Sequence, residues 1–171
     1  ETVLSKNPNA KNVDEISKQV GVGAVVFQEL SNSRVKDYTF SWERTLSFEG
    51  ETGPYVQYTH ARCCAVLRKA NEEVTTDINY DLLSDGDAAE VLKVIGSFNK
   101  SILSAMRRNE PHIVTRFVLD LAQAFNKFYH DCQINVKEEN VKMARLKVVQ
   151  MTMKVIKDAL ELLGIECPEQ M

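Results

Sequence analysis

Turn-formers are scarce in this chain, with seven glycines and four prolines in 171 residues. So few breaks exclude an architecture of many short strands and favour long elements with few connections. No apolar run reaches the roughly 18 residues that a membrane-crossing helix needs, so no membrane partner is expected. An excess of positive charge is also missing. The 21 Lys and Arg against 24 Asp and Glu leave a net charge of -3, which excludes a protein that coats nucleic acid by charge alone. Cysteine is limited to Cys63, Cys64, Cys132 and Cys167, with no Cys-x-x-Cys pair to suggest a metal site. Neighbouring Cys63 and Cys64 are poor disulfide partners for each other, so reduced, buried thiols in a cytoplasmic protein are expected. The chain opens Glu1-Thr2-Val3, without Met or a secretion signal, which fits a piece of a longer chain. What remains is ordinary for a packed globular protein, 44% hydrophobic and 26% charged.

Apolar residues recur with a helical period over most of the length. A first helix is expected from about Asn12 to Leu30, with Asn12 and Glu15 spaced as a capping box and Val20, Ala24, Phe27 and Leu30 on one stripe. Gly21 and Gly23 suggest a kink or a division into two helices. Tyr38, Phe40 and Trp42 alternate with Thr39 and Ser41, the pattern of a short extended piece. Gly50-Glu51-Thr52-Gly53-Pro54 is the strongest punctuation in the chain and predicts a tight loop, with Pro54 in the first turn of a helix that runs to about Glu73. A polar loop, Thr75 to Gly86, follows. Three long helices complete the reading. The first, Asp87 to Arg107, carries Val91, Ile95, Phe98, Ile102 and Met106. The second, Pro111 to Tyr129, carries Val114, Phe117, Leu121, Phe125 and Phe128. The third, Glu138 to Leu163, carries Val141, Ala144, Val148, Met151, Val155, Ala159 and Leu162. Gly164 fits a C-terminal cap. Stripes of this kind bury one another in a helical bundle, so the fold class is mainly α.

Gly50 to Arg62 reads G-E-T-G-P-Y-V-Q-Y-T-H-A-R. This run resembles the signature that follows the catalytic core of arginyl-tRNA synthetases, G-[DE]-T-G-P-Y-x-Q-Y-x-H-[AS]-R. Thirteen residues of mixed type are far more specific than a lone glycine pattern. Three other stretches resemble the same family: S-R-V-K-D-Y-T-F-S-W (Ser33 to Trp42), R-F-V-L-D-L-A-Q-A-F-N-K-F-Y (Arg116 to Tyr129) and L-G-I-E-C-P-E-Q-M (Leu163 to Met171). The resemblance implies a class I synthetase and divides the chain in two. Residues 1–48 would be a small remnant of the catalytic domain, and residues 49–171 a helical anticodon-binding domain of the DALR type. The parent enzyme would attach arginine to tRNA using ATP and Mg²⁺. No H-x-G-H motif or K-M-S-K loop is present, and Lys142-Met143-Ala144 sits mid-helix among stripe residues. The resemblance therefore implies no catalytic residue, cofactor or metal in this piece, and an inactive fragment. Its partners would be the anticodon arm of arginine tRNA, rather than DNA, and the catalytic domain of the same chain.

Unpaired RNA bases are held by stacking on aromatic faces and by hydrogen bonds to their edges. The aromatic candidates are Trp42, Tyr55, Tyr58, Phe128 and Tyr129, while Phe125 lies inside the apolar stripe. Carried over from the family, Gly50, Glu51, Thr52, Gly53 and Pro54 would lie against the anticodon loop. Tyr58, Ala65, Tyr129 and Met171 would line the crevice around its bases. Cations position the phosphates. Arg62 and Arg116 are favoured because each falls within a matched motif, and Arg116 also has Asp120 at helical spacing for an ion pair. Arg68, Lys69, Arg107, Arg108, His112, Lys142, Arg145 and Lys147 are further candidates. His60 has no evident second ligand or nucleophile nearby in the sequence, so structural hydrogen bonding is expected of it. Two alternatives stand beside this reading: a helical protein-interaction module with a sticky apolar patch at Asn12 to Trp42, or the equivalent domain of another class I synthetase such as the cysteinyl type. The G-E-T-G-P-Y run disfavours the latter.

Overall fold

Residues 12–84 and 86–171 are described by the computed structural model. The Glu1-Thr2-Val3 opening, and with it the first eleven residues of the 1–48 segment, lies outside them. Every regular element among the described residues is helical. Helices α1 (Val13–Leu30), α2 (Trp42–Thr45), α3 (Gly53–Ala70), α4 (Gly86–Gly96), α5 (Phe98–Arg108), α6 (His112–Asp131) and α7 (Glu139–Leu162) follow in order, with a 3-10 turn at Tyr80–Leu83 between α3 and α4.

Helices α6 and α7 form the centre. Each packs on α3 and α4 as well as on the other, α5 covers α6, and α1 lies along α3. The α6 stripe is the most completely enclosed: Val118, Leu121, Ala122, Phe125 and Phe128 have at most 0% of their surface exposed. Opposite them, Ala144, Val148, Val149, Ile156 and Ala159 of α7 are equally buried. A smaller cluster joins Ile16 and Val20 of α1 to Ala61 of α3 and to Met171. The first helix therefore shares a core with the segment after residue 49.

Local chemistry explains the boundaries. Thr52 caps α3, its Oγ1 accepting from Tyr55 N at 3.2 Å and donating to the Ser47 carbonyl at 2.6 Å. Pro54 sits in the first turn, where its missing N–H costs nothing. Gly164 closes α7 at φ +73, a left-handed conformation that glycine takes without strain.

Several expectations are corrected. Asp87 to Arg107 is two helices, not one. Ser97 N bonds the Val94 carbonyl at 3.0 Å, and the Ser97 hydroxyl donates to the same oxygen at 2.7 Å. That three-residue spacing tightens the chain just after Gly96, a poor helix former, and ends α4. Helix α1 is continuous through Gly21 and Gly23. Asn12 is left-handed at φ 58 and its side chain makes no capping bond. The Tyr38–Trp42 stretch has no strand partner; Phe40 and Trp42 instead meet edge to face at 4.8 Å on the surface. Met106 and Leu162, assigned to stripes, are exposed, while the nearby Ala105, Leu160 and Leu163 are buried, so both side chains lie on the outer face of their helices.

Candidate functional site

Helix α3 presents Tyr58, Ala61, Arg62, Ala65 and Arg68 along one side, because residues three and four apart share a helix face. Tyr129, near the end of α6, faces them. Gln170 and Met171 close the third side, and these groups surround an open hollow of about 530 Å³. Tyr58, Arg62, Ala65, Tyr129 and Met171 are thus brought together as expected from the sequence. Ala65 is exposed on the hollow, where a small side chain leaves room, and Tyr129 is 41% exposed. Met171 is buried against Ile16, Val20 and Ala61, so its segment packs against the bundle.

Arg62 lies between the two tyrosines, its guanidinium carbon 4.9 Å from the Tyr58 ring centre and 5.1 Å from that of Tyr129. Each contact is a cation–π attraction of about 0.5–1 kcal/mol at an exposed site. Asn126 fixes the guanidinium from below: its Oδ1 accepts from Arg62 Nη1, and its Nδ2 donates to Tyr55 Oη and to Thr59 Oγ1, each at 2.9 Å. The orientation of the amide follows, since arginine can only donate. Tyr58 is braced edge-on by Phe48 at 6.1 Å, and Tyr129 by the tilted ring of Phe125 at 6.2 Å. The hollow is therefore held in shape by its surroundings. Tyr129 also walls a smaller cleft of about 270 Å³, with Val66, Ala70, Cys132, Ile134 and Leu146.

Other sequence candidates lie elsewhere. Gly50, Glu51 and Thr52 line a separate depression of about 540 Å³ in which Glu43 and Glu49 also stand, with Arg44 the cation beside them. Gly53 and Pro54 are buried and serve the helix start. The tight loop thus lines a different depression from the hollow that holds the two tyrosines. Arg116 pairs with Glu51 at 3.0 Å and with Asp120 at 3.1 Å, so its charge is already engaged. Phe128 is corrected as a stacking platform, because it is fully buried on the α6 stripe. Trp42 is exposed but stands beside Phe40, outside the residues that line the hollow. Lys142 pairs with Glu72 and Glu139, each at 2.7 Å, and these bonds hold its pKa above the usual range. His112 is bound to Glu110 at 3.0 Å.

His60 is buried and its Nδ1 lies 3.2 Å from the Pro168 carbonyl. A carbonyl only accepts, so Nδ1 carries the proton and donates. Burial pushes the imidazole below its ordinary 6.5, which keeps it neutral. Gln57 is also buried, its Nε2 donating to the Glu166 carbonyl at 2.8 Å and to that of Gln19 at 3.2 Å. Burial pushes up the thiols of Cys63, Cys64 and Cys167, the last to about 12. All four cysteines are free, although Cys132 and Cys167 are only half-buried. Among the described residues no cluster of three or more acidic, histidine or cysteine side chains has the geometry to hold a metal, and no helix is long and apolar enough to cross a membrane. Asn126, Gln57 and Gln170 were missed from the sequence. The available signal was an asparagine amid the apolar stripe of α6, a residue type that helices disfavour.

Comparison with known proteins places this geometry in context. The family described as the DALR anticodon binding domain matches residues 56–171. An arginine–tRNA ligase of Clostridioides difficile is 72% identical over the whole chain, and one of Alkaliphilus metalliredigens is 52% identical. The chain spans 30% of the length of each. Among solved structures, the Thermus thermophilus arginyl-tRNA synthetase superposes with a TM-score of 0.88 at 31% identity, over 99% of this chain and 30% of that one. An arginyl-tRNA synthetase from Plasmodium falciparum gives 0.83 at 26% identity, with the same shares covered.

Proposed function

The chain belongs to the DALR anticodon binding domain family, and from that premise we propose that its hollow grips unpaired bases in the anticodon arm of arginine tRNA. One observation carries the reading: tyrosines from two different helices and an arginine fixed between them line one concavity whose lining has no acidic side chain. A base edge finds donors in Arg62, a base face finds Tyr58 or Tyr129, and a phosphate finds Arg68. Tyr129 stands between the hollow and the neighbouring apolar cleft, so two successive nucleotides have places on either side of it. Gly50, Glu51 and Thr52 fall outside this footprint, and so do Phe128 and Arg116.

The attachment of arginine to tRNA with ATP and Mg²⁺ belongs, in this proposal, to the part of the longer enzyme that the chain does not span. Residues 1–48 are proposed as the edge of that catalytic domain and 49–171 as the anticodon-binding unit. The exposed Val35, Phe40 and Trp42 fit an apolar contact with the rest of the enzyme.

The test is a binding comparison. The chain should prefer arginine tRNA to cysteine tRNA, and Tyr129→Ala should weaken binding by about 1–3 kcal/mol, the usual worth of one base stacked on an aromatic ring. Preference for cysteine tRNA, or unchanged affinity in a folded Tyr129→Ala variant, rejects the assignment.

A further inference from the structure

We propose that Gln57 and His60 are positioning residues that hold the segment Leu163–Met171 against α3, so that Met171 forms one wall of the hollow. The proposal rests on reading that hollow as a base-binding site.

Two faces of α3 do different work. Gln57, His60, Ala61 and Cys64 lie three or four residues apart on one face, and Tyr58, Ala61, Arg62 and Ala65 on the next. Ala61 belongs to both. The first face receives the segment after α7. There Ile165 is buried, the Glu166 carbonyl accepts from Gln57, and the Pro168 carbonyl accepts from His60. The second face lines the hollow, and Met171 arrives beside Ala61 at its edge.

Chain reach shows what the anchors accomplish. From Gly164 alone, Met171 would be free to sample a radius of about 24 Å, at roughly 3.4 Å per residue. From a fixed Pro168 the radius falls to about 10 Å. Gln57 adds a second constraint, because the same amide nitrogen also donates to Gln19 of α1. The position of the segment is thus tied to the two helices that supply Ile16, Val20 and Ala61 around Met171.

The glutamine is a costly choice for packing alone. Its Oε1 is buried and accepts no hydrogen bond, a state that leaves its lost hydration uncompensated. A leucine of similar size would avoid that cost, so what the amide adds is its pair of donors. Room for it exists only because position 23 is glycine: a Cβ there would stand 2.6 Å from Gln57 Nε2.

The experiment uses the whole chain with His60→Ala, His60→Asn, Gln57→Leu and Met171→Ala, and the double variant His60→Ala with Met171→Ala. Amide hydrogen exchange reports the segment Ile165–Met171, and affinity is measured for an RNA hairpin carrying the arginine tRNA anticodon arm. His60→Ala should speed exchange in that segment alone and weaken binding about tenfold, the scale of one well-packed contact at an interface. His60→Asn, which places an amide donor near Nδ1, should restore both readings. Adding Met171→Ala to His60→Ala should cost no further affinity, since both changes remove one and the same contact. Gln57→Leu keeps the volume filled and should reproduce the effect without a cavity. Faster exchange with unchanged affinity would overturn the positioning role, as would full additivity with Met171→Ala. A wild-type chain that ignores the hairpin would overturn the base-binding reading and this proposal together, and that outcome is visible before any variant is compared.

Discussion

Burial sets the charge of His60, and with it a pH dependence of folding. Desolvation lowers its pKa below 6.5; Lys157 acts in the same direction, while the bond to Pro168 and the charges of Glu169 and Glu161 oppose it. The unfolded chain therefore takes up this proton at higher pH than the folded chain does. The stability that depends on neutral His60 is complete above about pH 6.5 and is lost as pH falls from there through the lower folded value. Urea midpoints measured down that range should drop on the acid side, and His60→Asn, which has nothing to titrate, should flatten that drop. An identical profile in the variant would remove the argument. The same scale shows how far single residues were legible. Phe128 and Tyr129 are neighbours, but Phe128 continues the Leu121–Phe125 spacing and so faces the core, whereas Tyr129 is turned about one hundred degrees away. The stripe already contained that distinction. Asn126 was hidden for a different reason: its partners Arg62, Tyr55 and Thr59 lie on another helix some seventy residues earlier, and no local pattern announces them.

Helix packing turns on how closely α1 and α3 approach. A Cβ at Gly53 would lie 2.8 Å from Phe27 Cβ and 3.0 Å from the Gly23 carbonyl oxygen. Neither neighbour is the end of a flexible side chain, so the helices themselves must separate. Overpacking of this kind typically costs about 1–3 kcal/mol, against at most about 1 kcal/mol gained by replacing glycine in a helix. Gly53→Ala should therefore destabilise the fold by about 1–2 kcal/mol. Gly21 is on the same pair of helices, but a Cβ there meets nothing within 4 Å, and Gly21→Ala should stabilise by about 0.5–1 kcal/mol. Denaturant melts of the two variants check both, and equal effects would refute the close-approach account. At this scale periodicity located α1, α3, α6 and α7 within a few residues, since each buries a face and a buried face must be apolar. It missed the break between α4 and α5 because the apolar spacing runs through Ser97 uninterrupted. A serine hydroxyl bonded to Val94 leaves no mark on that spacing. The loop of Gly50–Pro54 was located, but the close approach of Gly53 to α1 is revealed only by the packed helices.

A molecule of net charge -3 can hold RNA only where its surface departs from the average. The hollow does so, with Arg62 and Arg68 on its lining and no acidic side chain. The depression at the glycine loop departs the other way, with Glu43, Glu49 and Glu51 against Arg44, and a phosphate placed there would be repelled. Some cations elsewhere are already paired, Arg116 to Glu51 and Asp120, Lys127 to Asp87, Lys142 to Glu72 and Glu139. The hollow itself offers only Arg62 and Arg68 to phosphate, and the salt dependence of binding should be shallow for an RNA-binding protein. With about three phosphates engaged, log K against log salt should fall with a slope of about -2, at roughly -0.7 per contact to a single strand. Titrating the anticodon hairpin at several salt concentrations measures that slope. A value near zero would deny phosphate contact altogether. A slope steeper than about -5 would require some seven contacts, more than the lining of the hollow offers, and would shift the grip from a shaped hollow lined by tyrosines to diffuse charge. The shallow slope and the loss on Tyr129→Ala are therefore two consequences of one arrangement, in which stacking supplies the affinity that the charge of the whole molecule cannot.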